Sequence, residues 1–219
     1  MGSKPNTPVP AGDFSQWLRG AVASIETGDD ATSVPCGGCT ACCRASMFIH
    51  IEPDETATIR SIPRPLLFAA PGRPKGHLLM GYNDQGHCPM LVNDKCSIYE
   101  HRPRTCRAYD CRVFAATGIE AETQAEIDSR VQRWVFQYED EAARHEQEEL
   151  IAAADFLISN RERFPQGTLP TQPAQMAALA VRIFRTFRQA REQEMERPSD
   201  SAVAEAILTT LNSDAETNP

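Results

Sequence analysis

All eight cysteines of this 219-residue chain lie between positions 36 and 111, and this concentration constrains the fold more than any other sequence feature. Eight cysteines in the whole chain are too few for a disulfide scaffold. Within 76 residues, however, they make up about one residue in ten, a density at which cysteines determine a fold. The 108 residues after position 111 contain none. The sequence therefore predicts a cysteine-dense first half and a cysteine-free second half.

Charge and hydropathy exclude several classes of protein. The net charge of −8 disfavours nucleic acid as a partner, because neutralisation of phosphates supplies most of that affinity. No apolar run reaches the roughly 18 residues that span a bilayer, and the first 12 residues lack the apolar core of a secretory signal. We therefore expect no membrane span and a cytoplasmic location, where thiols stay reduced and clustered cysteines indicate metal ligands before disulfides.

Patterning along the chain predicts three regions. Residues 1–12, rich in Pro, Gly and polar side chains, are expected to be a disordered tail. Residues 13–112 are expected to form a cysteine-cluster metal-binding domain that begins with an amphipathic helix capped by Asp13. Residues 113–219 are expected to be α-helical.

Short strands are predicted inside the cysteine-rich region. Residues 47–51 and 77–82 are rich in β-forming side chains, residues 63–76 carry four prolines and indicate an irregular loop, and Asn93-Asp94 indicates the turn of a hairpin. The predicted fold class is α+β: a small, loop-rich, metal-organised cysteine module with short strands, followed by an α-helical region.

Helical periodicity dominates the second half of the chain. Apolar residues follow 3.6-residue spacing in three stripes: Ile127, Val131, Trp134, Val135 and Tyr138; Leu150, Ile151, Ala154, Leu157 and Ile158; Met176, Leu179, Ala180, Ile183, Phe184 and Phe187. A last helix is predicted over 202–211.

Four arginines recur at three-residue spacing in the third stripe, at Arg182, Arg185, Arg188 and Arg191. They form part of a basic helix face that could receive the acidic 139–149 segment, either within the chain or from a protein partner. The alternative is an ordinary solvated face, which is what most surface charge runs are.

The first cysteine cluster is Cys36-x2-Cys39-x2-Cys42-Cys43. Bacterial ferredoxins use the x2 spacing for three ligands of an iron–sulfur cubane, but their fourth ligand position is Ser46 here. A further ligand would have to come from elsewhere in the chain. The adjacent Cys42 and Cys43 either serve different centres or include one spare thiol.

The second cluster comprises Cys88, Cys96, Cys106 and Cys111, and the predicted hairpin would bring Cys88 and Cys96 together. Eight sulfurs suffice for two four-sulfur centres or for one cluster with spare thiols. All-sulfur sites favour zinc or iron–sulfur, so the predicted cofactor is Zn²⁺ or an iron–sulfur cluster such as 4Fe-4S. All eight cysteines are predicted metal ligands.

Charged and imidazole side chains accompany the cysteines. Of the nearby arginines, Arg102, Arg104, Arg107 and Arg112, we expect Arg107 to offset thiolate charge beside Cys106 and Arg104 to make an ordinary ion pair. The histidines of this half are weaker ligand candidates beside eight cysteines: His50, His77, His87 and His101, with His87 the best placed.

The motifs CGGCTACC at 36–43 and CPMLVNDKCSIYEHRPRTCRAYDC at 88–111 resemble the CxxCxxCC (YkgJ-like) family of zinc- or iron-chelating cysteine-cluster proteins. The resemblance covers about a third of the chain and implies bound zinc or iron with the cysteines as ligands. Three functions follow as hypotheses: a metal-binding protein with a redox or metal-handling role, a zinc-stabilised protein-interaction module whose helices bind a partner, and a cluster-dependent enzyme resembling the family's lysine methylases or a protein-modifying oxidoreductase.

Overall fold

The computed structural model describes residues 7–27, 34, 38–121 and 125–217, with the side chains of Thr27 and of 213–217 left out. The elements in chain order are β1 (Val9–Asp13), α1 (Phe14–Thr27), β2 (Ile49–Ile51), α2 (Thr56–Ser61), β3 (Leu67–Ala69), β4 (Leu78–Met80), β5 (Leu91–Val92), β6 (Lys95–Cys96), α3 (Arg104–Ala108), α4 (Arg112–Thr117), α5 (Ala125–Val131), β7 (Trp134–Gln137), α6 (Glu141–Ser159), α7 (Pro173–Glu192) and α8 (Asp200–Thr217). Short strands and helices confirm the predicted α+β, loop-rich class.

The described residues divide into two compact units. Residues 7–27, 111–121 and 131–217 form what we term the helical unit. Residues 34, 38–110 and 125–130 form the cysteine unit. The division differs from the predicted boundaries, because α1 belongs to the helical unit rather than to the cysteine-rich region.

The helical unit is built around the pairing of α6 with α7. The six residues of the third apolar stripe are all buried on α7, which confirms the helical spacing that predicted them. Leu150, Ala154 and Leu157 of α6 are fully buried, whereas Ile158 is 51% exposed. Helices α1, α4 and α8 pack on this pair and complete the core.

Ion pairs join the basic face of α7 to the acidic face of α6. Arg188 lies 2.7 Å from Glu146 and 3.2 Å from Glu149, and Arg191 lies 2.9 Å from Glu148 and 3.3 Å from Glu149. The acidic 139–149 segment therefore meets the predicted basic face within the same chain.

The prediction that the first apolar stripe of the second half forms one continuous helix is wrong. Helix α5 ends at Val131, and Trp134–Gln137 form strand β7, with Trp134 and Phe136 buried and Val135 and Gln137 exposed. This alternation is that of a half-buried strand. The partner that stabilises it is β1, which pairs with β7 in parallel and lies more than 120 residues earlier in the sequence.

Strand β1 and helix α1 follow one another at the N-terminal end of the described chain. Residues 9–12, predicted as part of a disordered tail, lie in β1. The backbone N–H of Gln16 donates to Asp13 Oδ1 at 2.8 Å, which is the cap expected at the start of α1. The apolar side of α1 packs against α6 and α7.

The cysteine unit contains a three-stranded antiparallel sheet in the order β2-β4-β3 and the hairpin β5-β6. Asn93 and Asp94 have φ of 49° and 58°, the left-handed values of a tight hairpin turn, so the predicted hairpin is present. Strand β3 lies in the stretch predicted as irregular loop. A small cluster of buried residues lies at the centre of its core: Ile49, Ile51, Ile62, Met80, Met90 and Ile98.

Within the residues described, no helix combines the length and the apolar character that crossing a membrane requires.

Candidate metal centre

Two buried cysteines, Cys88 and Cys106, are influenced electrostatically by cysteines from distant parts of the sequence. Burial raises the pKa of the Cys106 thiol, and the charges of Cys42, Cys88 and Cys96 raise it further. Burial likewise raises the pKa of Cys88, with added contributions from Cys96 and Cys42. Because a like charge raises a pKa appreciably only when it is near, Cys42, Cys88, Cys96 and Cys106 form one cluster, which we term the four-sulfur group.

Each member of the four-sulfur group stands on a different local element. Cys42 begins the short 3₁₀ helix Cys42–Arg44, Cys88 precedes strand β5, Cys96 ends β6, and Cys106 lies in the middle of α3. Cys88, Cys96 and Cys106 also pack against the small apolar core of the cysteine unit. The group therefore lies where these short elements meet.

Two polar contacts hold the first cysteine segment against the hairpin. The backbone N–H of Cys88 donates to the carbonyl oxygen of Cys43 at 2.7 Å. The guanidinium of Arg44, next in sequence, pairs with the carboxylate of Asp94 in the hairpin turn. These contacts hold together two cysteine segments that are separated by more than 40 residues in the sequence.

Backbone N–H groups near Cys88 favour its thiolate form. The N–H groups of Met90 and Leu91 both lower the pKa of Cys88 against the effect of burial. The Leu91 N–H donates to the carbonyl oxygen of Cys88 at 3.0 Å, which closes the turn that follows Cys88. Backbone N–H groups close to a partly buried thiol favour the charged thiolate, which is the form that binds metal.

Cys43 is a fifth thiol beside the group. Its hydrogen bond with the Cys42 thiol is the largest cause of the raised pKa of Cys42. The two vicinal sulfurs therefore lie within hydrogen-bonding distance of each other. Cys43 is available either as a ligand or as the spare thiol that the sequence allowed.

The other three predicted ligands have different surroundings. Cys39 is partly buried in the loop before the 3₁₀ helix, and Cys36 lies outside the described residues. Cys111 belongs to the helical unit, where it precedes α4 and accepts a hydrogen bond from Trp134 Nε1 at 3.2 Å. The assignment of all eight cysteines as ligands stays a prediction.

The donor set of the four-sulfur group fits zinc or iron, since soft thiolates select zinc and iron–sulfur clusters. Across the stretches 7–27, 38–121 and 125–217, no three Cys, His, Asp or Glu side chains are arranged so that they could hold a metal ion as they stand. The chemistry of the sulfurs and the N–H groups around Cys88 therefore support the fit, rather than a closed coordination shell.

The charge of Arg102 acts on a thiol of the four-sulfur group. Its charge lowers the pKa of Cys106, while its guanidinium lies 4.1 Å from the centroid of the Tyr99 ring. Arg107, the arginine expected in this role from its place beside Cys106, donates to the carbonyl oxygen of Arg102 at 2.7 Å. Proximity in sequence was a misleading signal because a helical side chain points away from that of its immediate neighbour.

The remaining arginines of this stretch make structural contacts. Arg104 pairs with Asp54 at 2.9 Å and with Glu52 at 3.5 Å, which is the ordinary ion pairing expected for it. Arg112 is buried in the helical unit and donates to the carbonyl oxygen of Ala11 at 2.9 Å.

The histidines have partners of their own. His50 Nε2 and His77 Nδ1 are 3.0 Å apart, and the two rings are nearly parallel. His87, the best candidate by sequence, has Nε2 at 3.5 Å from Nη1 of Arg44. His101 is exposed. Sulfur is thus the main donor type at this site.

Comparison with known families agrees with the chemistry of the site. Residues 35–128 match the family model CxxCxxCC, whose description is "Putative zinc- or iron-chelating domain". The matched stretch contains all eight cysteines and confirms the resemblance predicted from their spacing. No curated protein and no solved structure matches the chain. The match points to metal chelation as the class of function for this region.

Proposed function

We propose that the cysteine unit binds a single metal centre, zinc or an iron–sulfur cluster, through the thiolates of Cys42, Cys88, Cys96 and Cys106. The observations that carry the proposal are the packing of Cys88, Cys96 and Cys106 against one apolar cluster and the effect of Cys42 and Cys96 on the pKa of both Cys88 and Cys106. Four sulfurs meet the ligand number of a structural zinc site and of a cubane cluster alike.

The proposed role of this centre is to hold the cysteine unit together. Its strands are two or three residues long, and its core cluster contains six buried residues. Domains with so little apolar core usually need disulfides or metal to fold. A bound metal would join the 3₁₀ helix, the hairpin and α3, and its binding energy would count as folding energy.

Zinc would supply this cross-link without redox chemistry, whereas an iron–sulfur cluster would add one-electron transfer. Four protein thiolates would leave no open ligand position for a substrate, so a stabilising or electron-transferring centre is favoured over direct catalysis at the metal. The redox, interaction-module and enzymatic hypotheses differ in what the centre does beyond this stabilisation.

The test is to purify the protein anaerobically and to measure zinc, iron and acid-labile sulfide together with the absorption spectrum. Colourless protein with one zinc per chain would support the structural site. Brown protein with iron and sulfide in equal amounts would support the cluster. Protein with neither metal, in which the thiols of the four-sulfur group react freely with a thiol reagent, would overturn the proposal.

A further inference from the structure

Glu55 is a buried carboxylate at the start of α2 within the cysteine unit. Its side chain is 4% exposed, although α2 itself lies largely at the surface. Burying a carboxylate is costly unless hydrogen bonds compensate for the lost water. Glu55 accepts two of them from backbone N–H groups: that of Glu52 at 2.9 Å, and that of Arg104.

The second of these hydrogen bonds caps another helix. Helix α3, Arg104–Ala108, is five residues long and is preceded by Pro103, which offers no capping side chain. A helix this short has no stability of its own in water. The N–H of Arg104, an unpaired donor at the helix start, is satisfied by Glu55, 49 residues earlier in the sequence.

The Cys106 thiol is two residues beyond that capped position. The backbone N–H of Cys106 donates to the carbonyl oxygen of Pro103 at 2.9 Å, so the cysteine belongs to the first helical turn. The Thr105 hydroxyl donates to the carbonyl oxygen of His50 at 2.7 Å and attaches the same turn to strand β2. The orientation of this one turn therefore sets where the Cys106 sulfur lies.

We infer that Glu55 is a positioning residue of the metal centre, whose carboxylate fixes the first turn of α3 and through it the Cys106 thiolate. The inference rests on the proposed function, because it assigns Glu55 a role toward the same four-sulfur group. Removing the hydrogen-bonding partners that orient a metal ligand commonly lowers metal affinity about 10- to 100-fold.

Asp54 offers a matched control in the adjacent position. Its carboxylate binds the Arg104 side chain at 2.9 Å but is 67% exposed, whereas the buried Glu55 carboxylate binds the Arg104 backbone N–H. Glu55→Gln and Asp54→Asn remove one negative charge each at neighbouring sites. Glu55→Gln leaves one acceptor oxygen for two backbone N–H donors, because an amide nitrogen cannot accept an N–H, so at least one of the two buried hydrogen bonds is lost. Glu55→Ala removes both acceptors.

The first experiment titrates the metal-free full-length proteins with Co²⁺ under anaerobic, reducing conditions and follows the thiolate-to-cobalt charge-transfer band. We expect Glu55→Gln to weaken cobalt binding about 10- to 100-fold and to lower the band intensity by the contribution of one thiolate. Asp54→Asn should match the wild type. Equal affinity and equal band intensity in the wild type, in Glu55→Gln and in Glu55→Ala would overturn the inference.

A double-mutant cycle separates positioning from a general loss of stability. In a Cys106→Ser background the Glu55→Gln change should have little further effect on cobalt affinity, because the thiolate it positions is gone. In a Cys42→Ser background its full effect should persist. Equal weakening in both backgrounds would contradict a role directed at Cys106.

Two further outcomes are informative. If Glu55→Gln does not fold, Glu55→Asp, which keeps the charge with a shorter reach, replaces it in the same cycle with the same criterion. A wild-type protein without any thiolate-to-cobalt band would overturn the proposed function together with this inference. A wild-type band that is insensitive to Glu55 would overturn the inference alone.

Discussion

The helical unit and the cysteine unit are stabilised in different ways. In the helical unit α6, α7 and α8 are 19, 20 and 18 residues long and enclose an extensive apolar core. In the cysteine unit the strands and the helices α2 and α3 span two to six residues. Long helices are stabilised by the packing of their apolar faces, whereas such short elements depend on cross-links. The contrast supports the proposal that a metal centre on the cysteines compensates for the small apolar core of the cysteine unit.

The largest expected effect is a difference between the two units in how far their folding depends on bound metal. Removal of the metal with a strong chelator under reducing, anaerobic conditions should unfold the cysteine unit and leave the helical unit folded. Structural zinc contributes on the order of 10 kcal/mol to the folding of small domains. Hydrogen–deuterium exchange should therefore rise in residues 38–110 and stay low in α6 and α7. Unchanged exchange at 38–110 after loss of the metal would contradict the proposed difference between the two units.

Truncation of a core side chain in the helical unit should lower the free energy of unfolding and leave the metal content unchanged. Leu157 of α6 is fully buried, so Leu157→Ala should lower the free energy of unfolding by about 2–5 kcal/mol. Its neighbour Ile158 is 51% exposed, and Ile158→Ala should change that free energy by about 0.5 kcal/mol or less. Both variants should keep the wild-type metal content. Loss of metal in Leu157→Ala would contradict this expectation, because metal binding would then depend on the core of the helical unit.

The ion pairs between α6 and α7 predict a smaller effect. Glu149 is 6% exposed in its side chain and meets both Arg188 and Arg191, so Glu149→Gln should cost about 1–3 kcal/mol of unfolding free energy. Glu148 is 61% exposed, and Glu148→Gln should cost less than about 1 kcal/mol. Chemical denaturation measures both. Equal costs would mean that burial of Glu149 does not strengthen its pairs.

The smallest expected effect is a pH dependence in the cysteine unit. Burial and the neighbouring His77 lower the pKa of His50, with Glu52 and Glu55 opposing this shift and Arg73 adding to it. The folded state therefore favours neutral His50. The stability that this provides is complete above the ordinary histidine pKa of about 6.5 and is lost as the pH falls through the lowered value.

The check is to compare the wild type with His50→Gln across that pH range, with the metal-loaded protein in both cases. The wild type should lose stability more steeply below about pH 6.5 than the variant does. Protonation of the thiolates affects both proteins alike and cancels in the difference. Identical slopes would show that the His50–His77 pair does not contribute to the pH dependence.

Local pattern predicted the features whose causes are local. The apolar stripe of α7, the cap at Asp13 and the turn at Asn93-Asp94 each follow from residues within a few positions of one another. The spacing of the cysteines likewise predicted the family that residues 35–128 match.

Features that depend on distant partners were not predictable in the same way. Trp134–Gln137 has helical spacing with Ile127 and Val131, and it forms a strand because β1 supplies a partner from the other end of the chain. Glu55 has the position of a helix-start residue in the sequence, and its contact with α3 depends on tertiary structure. The same holds for the four-sulfur group, since no spacing rule relates Cys42 to Cys106.

The most direct test of the account compares the metal content and absorption spectrum of Cys88→Ser and Cys111→Ser after anaerobic purification. Cys88 is in the four-sulfur group, and Cys111 is the cysteine of the helical unit that accepts a hydrogen bond from Trp134. A single centre on the four-sulfur group predicts that Cys88→Ser loses the metal and its spectrum while Cys111→Ser keeps both. Full metal content in Cys88→Ser would contradict the account, and loss in Cys111→Ser would extend the ligand set beyond the four.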